Sequence, residues 1–268
     1  MKLGFIGAGN MAGAIIKGFI NKNCVNSSDI YFIRQNKEKQ AQQAKELGIN
    51  GCDDYDGLIE NSDILFLGVK PVVFPTLLPQ IAKSVKKKNP LVVSMAAGLT
   101  TDSIREMLGY DAKIIRIMPN VNAAIAMSTT AVCKNEFASD EDLATIKNLF
   151  STIGLTTEVP ENQFAIFTAI AGCSPAYVYM FIDGLARGAQ KMGMNKQKAL
   201  EIAASAVIGS ASMYAQSNEH PQELVDKVCS PGGTTIEGVT TLEEYKFTAG
   251  VVKAVENSIL KDRELSKK

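Results

Sequence analysis

Within its first twelve residues the chain passes from an apolar run at residues 2–7 into Gly7-Ala8-Gly9-Asn10-Met11-Ala12, and then into apolar residues at helical spacing over residues 11–20. A strand that turns through Gly-x-Gly-x-x-Ala straight into a helix has few folds open to it. Gly7 permits the tight turn, Gly9 lets backbone approach a pyrophosphate, and Ala12 keeps the helix close to the sheet. The start of the helix then faces the anion with its free N–H groups. Ile6, Gly7, Ala8, Gly9, Asn10 and Met11 are accordingly assigned to a dinucleotide.

Beyond residue 20 the chain keeps the same rhythm. Apolar runs at residues 29–33, 64–69, 91–94 and 113–117 alternate with helical patterns around 37–47, 72–85 and 101–108, and residues 129–133 and 156–159 read as closing strands. This predicts an α/β fold whose N-terminal part is a Rossmann-like doubly wound parallel sheet. Near Pro160 the pattern changes, and beyond it only helical periodicity appears, interrupted at Met192-Gly193, at residues 217–221 and at a Pro-Gly-Gly loop. The expected division is a dinucleotide-binding domain over 1–161 and an all-α domain over 162–268. Its helices at about 164–191 and 196–216 are rich in Ala, Ser and Gly and too apolar all round to face water on one side. They are expected to pack against a second copy of the chain, making the second domain a dimerisation domain.

At the end of the second predicted strand, where an NAD site would place an acid for the ribose hydroxyls, the chain reads Ile33-Arg34-Gln35-Asn36-Lys37. Arg34, Asn36 and Lys37 supply a guanidinium, an amide and an ammonium, a set suited to a 2′-phosphate. NADPH is therefore favoured, with NADH as the alternative donor. Three further turns fall at carboxyl ends of predicted parallel strands, the edge where open α/β sheets bind ligands. They contribute Val69, Lys70 and Pro71, then Met95, Ala96 and Ala97, then Asn120, as candidates to line the ribose and nicotinamide.

Lys plus Arg and Asp plus Glu number 28 each, so no net field draws nucleic acid or an anionic membrane, and small molecules are the expected partners. Lys86-Lys87-Lys88 reads as a solvated helix end. The five cysteines are scattered without Cys-x-x-Cys spacing, which suits a reducing cytoplasm and packing roles and offers no metal site. His220, the single histidine, sits in a polar loop stretch, so neither a histidine triad nor a histidine-rich metal cluster can be assembled. Residues 164–182 carry no charge and are long enough for a membrane span, but Thr168, Cys173, Ser174, Pro175 and two tyrosines interrupt them and Asp183 follows at once. A helix buried at a subunit interface is the expectation there. The first strand begins almost at the N-terminus, so removal of a leader would destroy the nucleotide turn, and a cytoplasmic location is expected.

Far downstream lies Cys229-Ser230-Pro231-Gly232-Gly233-Thr234-Thr235. Pro-Gly alone would end a helix; hydroxyls on both sides of paired glycines add ligand-binding capacity. Small residues opening onto a helix present several backbone N–H groups and the positive helix terminus together, an arrangement that holds a carboxylate. Ser230, Gly232, Gly233, Thr234 and Thr235 are assigned to a substrate, with the Thr235 and Ser230 hydroxyls as candidate catalytic groups. A hydride donor needs only an oriented acceptor and one proton, so a site without histidine or metal suffices.

With those residues in place, the chain resembles the pyrroline-5-carboxylate reductases over essentially its whole length. The likeness rests on Phe5-Ile6-Gly7-Ala8-Gly9-Asn10-Met11, Leu67-Gly68-Val69-Lys70-Pro71, Ser94-Met95-Ala96-Ala97-Gly98, Arg116-Ile117-Met118-Pro119-Asn120 and Ser174-Pro175-Ala176-Tyr177. It rests above all on Leu224-Val225-Asp226-Lys227-Val228-Cys229-Ser230-Pro231-Gly232-Gly233-Thr234-Thr235. The resemblance implies that the substrate carboxylate lies on the backbone of 230–235, that the Thr235 hydroxyl bonds the ring nitrogen, and that reduction of the C=N bond yields L-proline. It also implies intertwined helical dimers, often five to a ring. The chain departs from the family at Cys173-Ser174, where Ser-Gly is common, at Val121-Asn122 in place of Thr-Pro, and at Arg187, Tyr55 and Lys227, where an acid, an Asn near the ribose and an amide are usual. Two alternatives stand beside this reading: a reductase of another cyclic imine carboxylate, and a non-catalytic NADPH-binding relative.

Overall fold

The computed structural model describes residues 1–265. The chain divides into a unit of Met1–Gly172 with the C-terminal stretch from Ile259, and a unit of Cys173–Ser258.

The first unit is an eight-stranded sheet in the order β3-β2-β1-β4-β5-β6-β7-β8. Its strands are β1 (Leu3–Ile6), β2 (Ile30–Ile33), β3 (Asn50–Gly51), β4 (Ile64–Leu67), β5 (Leu91–Ser94), β6 (Ile114–Met118), β7 (Ser128–Lys134) and β8 (Gly154–Glu158). Its helices are α1 (Asn10–Asn21), α2 (Lys37–Leu47), α3 (Tyr55–Glu60), α4 (Phe74–Lys88), α5 (Thr101–Leu108), α6 (Asp140–Ser151) and the short α7 (Phe164–Phe167). β1, β4, β5 and β6 are buried at every position, because helices cover both faces of the sheet. Alternate residues feed two cores. Phe5, Phe66 and Phe150 pack on the α1 and α6 side, with Phe5 and Phe66 stacked at 4.5 Å between centroids. Ile6, Leu65 and Leu67 pack on the α4 and α5 side with Leu77 and Ile104.

The helix boundaries reflect local chemistry. Asn36 caps α2 by accepting from the Lys39 amide, and Gly48 ends it at φ 66°. Thr100 caps α5, and Ser139 with Asp142 forms a capping box on α6. The Lys86-Lys87-Lys88 run closes α4, where cations favour the helix C-terminus.

The sheet departs from the all-parallel expectation at one place. β1 through β6 pair in parallel, but β7 runs antiparallel to β6, and β8 is parallel to β7. The link from β6 to β7 holds only the 3-10 turn Val121–Ile125, too short for the crossover that a parallel partner needs. β3 and α3, which no apolar run announces, are two and six residues long, with α3 started by the Asp54 side chain accepting from Gly57.

Two of the motif residues stitch this unit together. Arg116, 5% exposed, donates to Glu161 Oε1 at 3.3 Å and lies 4.5 Å from the centroid of the Phe164 ring. Glu161 in turn accepts from the Thr101 amide and hydroxyl. Asn120 donates to the Ala171 carbonyl and accepts from the Thr129 amide.

The second unit contains α8 (Ser174–Lys191), α9 (Lys196–Gln216), α10 (Pro221–Val228), α11 (Thr234–Glu244) and the larger part of α12 (Phe247–Leu265). The single helix expected over 164–191 is instead α7, a π-helical stretch Thr168–Cys173, and α8. Thr168 bonds back to the Phe164 carbonyl, and Pro175 in the first turn of α8 has no N–H to continue the preceding ladder, so the helical register is reset between them. α8 meets α9 where Ala186, Ala199 and Ala203 are small enough for close approach. The run Glu161–Lys191 is long and apolar enough for a membrane span by length and composition. The helix was expected to be buried, yet in the single chain Met180, Tyr179 and Phe181 on α8 and Ile208, Met213 and Tyr214 on α9 are exposed. An apolar surface of this kind marks an interface.

Candidate functional site

The order β3-β2-β1-β4-β5-β6 reverses between β1 and β4, and ligands bind at the carboxyl ends of strands beside such a switch point. Pairing of Ile6 with both Ile33 and Leu67 puts the ends of β1, β2 and β4 level, so Gly7, Arg34 and Gly68 leave the sheet side by side. Gly7 turns at φ 87°, and a Cβ there would lie 2.8 Å from the Gly68 carbonyl oxygen. A Cβ on Gly68 would lie 2.5 Å from the Gly7 oxygen. Neither turn has room for a side chain. At Gly9 the reverse holds, for an added Cβ meets nothing within 4 Å, and this open space lies over the start of α1. Gly9 is also the N-cap of α1 and brings no side-chain cap, which leaves the first N–H groups of the helix free for an anion.

A cavity of about 820 Å³ lies over these turns, lined by Ile6, Gly7, Ala8, Gly9, Arg34, Asn36, Lys37, Val69 and Lys70 among others. A second of about 480 Å³ continues between α1 and α2, lined by Asn10, Arg34, Lys39 and Gln43 among others. Arg34 and Lys39 border both. The donor set fits a dinucleotide: glycine turns and an uncapped helix start for the pyrophosphate, and two cations beyond the end of β2 for a 2′-phosphate.

Six of the expected cofactor residues stand outside both cavity linings. Met11 and Met95 pack against the first core, and Ala96 is buried in the second. Pro71 begins the 3-10 turn Pro71–Val73, and Ala97 is exposed beyond the end of β5. Asn120 is 4% exposed and engaged within the fold by the bonds described above. Lys37 borders the larger cavity but its ammonium donates to the Cys52 and Asp53 carbonyls, at 3.3 and 3.0 Å.

Other residues at the site were not picked out by motif reasoning. Lys39, Gln40 and Gln43 come from α2, and Asp53 and Asp54 from the segment joining β3 to α3, while Tyr55 at the start of α3 enters the sequence reading only as a departure from the family. The Asn36 cap was a usable signal, since it fixes the phase of α2 and brings positions 39, 40 and 43 round toward the end of β2. No signal marked the acids, because β3 is too short to announce itself.

The loop 229–235, expected to bind substrate, belongs to the second unit. His220, expected in a surface loop, accepts from the Gln222 amide as the N-cap of α10, and Glu223 completes the box. α10 ends at Val228, and α11 starts six residues later with Gly233 as N-cap and no side-chain cap. Gly232 turns at φ 65°. A Cβ on Gly233 would lie 2.3 Å from Ser230 Oγ and 3.1 Å from the Ser230 carbonyl oxygen, which accepts from the Gly233 amide. The left-handed φ at Gly232 favours glycine there, while a side chain at Gly233 would have to displace the Ser230 hydroxyl and crowd its carbonyl. Ser230 and Thr234 are exposed and Thr235 half-buried at that helix start.

No cysteine with a shifted thiol is primed as a nucleophile. Burial and the neighbouring Glu161 push Cys133 up to about 12, and burial with Asp54 and Asp53 raises Cys52.

Fold and cleft together define a Rossmann-type oxidoreductase carrying a separate helical unit. A family model described as pyrroline-5-carboxylate reductase dimerisation matches residues 161–265, and one described as NADP oxidoreductase, coenzyme F420-dependent, matches residues 2–98. A pyrroline-5-carboxylate reductase from Escherichia coli is 41% identical over 266 residues, 99% of this chain and 98% of its own length. The solved structure of 1-pyrroline-5-carboxylate reductase from Streptococcus pyogenes shares 38% identity at a TM-score of 0.89 and covers 98% of both chains. The pyrroline carboxylate reductase of Plasmodium falciparum, solved with NADP bound, aligns at a TM-score of 0.90 and 29% identity over 99% of this chain and 98% of its own. This chain belongs to the pyrroline-5-carboxylate reductase family.

Proposed function

We propose that this chain reduces 1-pyrroline-5-carboxylate to L-proline with NADPH as the hydride donor. The observation that carries the reading is the loop 230–235, an uncapped helix start flanked by hydroxyls, in a chain 41% identical over its length to a pyrroline-5-carboxylate reductase. When bound, NADPH supplies the hydride that enters the imine carbon. The free N–H groups at the start of α11, in the turn made by Ser230, Gly232, Gly233 and Thr234, hold the substrate carboxylate. The Thr235 hydroxyl donates to the ring nitrogen, which draws electron density out of the C=N bond. As the carbon gains hydride, the π electrons pass to nitrogen, and a proton reaches it through the Thr235 hydroxyl, which is resupplied from water. Ser230 holds the loop through its carbonyl and lends a second hydroxyl.

On the cofactor side, Ile6, Gly7, Ala8, Gly9 and Asn10 form the pyrophosphate turn with Met11 packed behind it, and Arg34 with Asn36 reads the 2′-phosphate. Val69 and Lys70 carry the ribose toward the nicotinamide, and Pro71, Met95, Ala96 and Ala97, which stand outside the cavity linings, shape the turns behind them. Lys37 and Asn120 act at one remove, fixing loops that border the site. Asp53 and Asp54 at the larger cavity are acceptors for ribose hydroxyls, which keeps NADH a working, weaker donor. The division of labour places the cofactor on residues 1–161 and both dimerisation and substrate binding on 162–268. The dimer forms through α8, α9 and their neighbours, five dimers close into a decamer, and the enzyme works in the cytoplasm.

Ring size is tested by competition. With equal concentrations of the five- and six-membered imine carboxylates, the five-membered ring should be consumed about 10- to 100-fold faster, since one methylene discriminates by about 1–3 kcal/mol. Preferential loss of the six-membered ring would assign the chain to another cyclic imine.

A further inference from the structure

Arg34 is the first residue beyond β2, and a flexible arginine on a turn loses substantial rotamer freedom when it must present one fixed fork to a ligand. In this chain two glutamines of α2 hold it. Gln43 Oε1 accepts from Arg34 Nη1 at 2.7 Å. Gln40, one helical step earlier and 6% exposed, accepts from the Arg34 amide at 2.8 Å and donates to the Cys52 carbonyl at 2.8 Å. The backbone and the head of one arginine are thus gripped by side chains at i and i+3 of the same helix. Gly13 of α1 lies beside Gln43, and a Cβ there would stand in ordinary van der Waals contact with Gln43 Nε2 at 3.5 Å.

The chemistry of the grip matters. A carboxylate in place of Gln43 would pair with the guanidinium and repel a phosphate from the same mouth. An amide accepts one N–H and leaves both the net positive charge and the other donors of the fork available. Lys39, whose ammonium makes no ion pair among the described residues, borders both cavities beside Arg34, whereas Lys37 is drawn off to two carbonyls.

We infer that Gln43 is a specificity-determining positioning residue: it aims Arg34, with Lys39 alongside, at the 2′-phosphate of the nicotinamide cofactor, and so sets the preference for NADPH over NADH. The inference rests on the reading of Arg34 as the 2′-phosphate ligand, and its test separates the two. NADPH and NADH dissociation constants are measured by cofactor fluorescence on the full-length wild type, Arg34→Ala, Gln43→Leu, the near-isosteric Gln43→Glu, and the Arg34→Ala/Gln43→Leu double variant. Arg34→Ala is expected to weaken NADPH about 10- to 100-fold with little change for NADH, as loss of a charge-assisted bond implies. Gln43→Leu should weaken NADPH about 3- to 10-fold, leave NADH unchanged, and add nothing on top of Arg34→Ala. Gln43→Glu should weaken NADPH selectively as well, through its carboxylate. If Arg34→Ala is selective while both Gln43 variants bind NADPH as the wild type does, or weaken both cofactors alike, the role of Gln43 is overturned and that of Arg34 stands. If Arg34→Ala itself changes both cofactors equally, or neither, the 2′-phosphate reading falls and the inference with it.

Discussion

Thr235→Ala is expected to lower kcat for pyrroline-5-carboxylate reduction by about 10²- to 10³-fold, the scale seen when one hydrogen-bond donor to a charge-developing atom is removed. Thr235 comes directly after the N-terminal residue of α11 and is half-buried, so its hydroxyl is held by the helix rather than by a mobile loop. Deleting it removes the donor to the ring nitrogen and the proton route together, but it leaves the backbone N–H groups that hold the carboxylate. The loss should therefore fall mainly on kcat, with KM for the imine changed much less. Thr235→Ser, which keeps a hydroxyl, should recover most of the rate. Steady-state kinetics at saturating NADPH make the comparison, and a Thr235→Ala variant with wild-type kcat and KM would remove this residue from the chemistry.

The second large effect is expected at Gly68. An added Cβ there sits 2.5 Å from the Gly7 oxygen and 3.0 Å from Ala12 Cβ, so Gly68→Ala must push apart the two turns that border the pyrophosphate. Overpacking against backbone costs about 1–3 kcal/mol, and the displacement is borne by the residues that meet the cofactor. Gly68→Ala is expected to weaken both NADPH and NADH by about 100-fold at the upper end of that cost, with no selectivity between them. That equality distinguishes it from substitutions at Arg34, which act on the 2′-phosphate. Cofactor titration monitored by fluorescence checks it, with a thermal melt to confirm folding. Binding within about twofold of wild type would show that the β1 and β4 turns yield more readily than their spacing allows.

Much of this architecture is legible in the residues because each signal is local. The apolar runs of β1, β4, β5 and β6 are continuous, and Gly7 of the first turn and Gly232 of the 230–235 loop sit where a positive φ favours glycine. The features that are not legible depend on distant partners or on side-chain aim. The antiparallel entry of β7 is set by the length of one connection, and the π-helical stretch before α8 by the register that Thr168 and Pro175 impose. Charge alone gives Lys37 and Lys39 equal claims on a phosphate. The structure separates them, because Lys37 reaches the Cys52 and Asp53 carbonyls and Lys39 stays at the cavity mouth. Asn120 shows the same limit, since a residue at a strand end can turn inward to bind the Ala171 carbonyl as readily as outward to a ligand.

The central claim is met most directly by mixing the purified protein with NADPH and 1-pyrroline-5-carboxylate and recording the loss of NADPH absorbance together with the appearance of L-proline. The account predicts rapid turnover with one proline formed for each NADPH consumed, and slower turnover with NADH. NADPH bound tightly but never consumed, with no proline formed, would contradict it and leave a dinucleotide-binding protein without this chemistry.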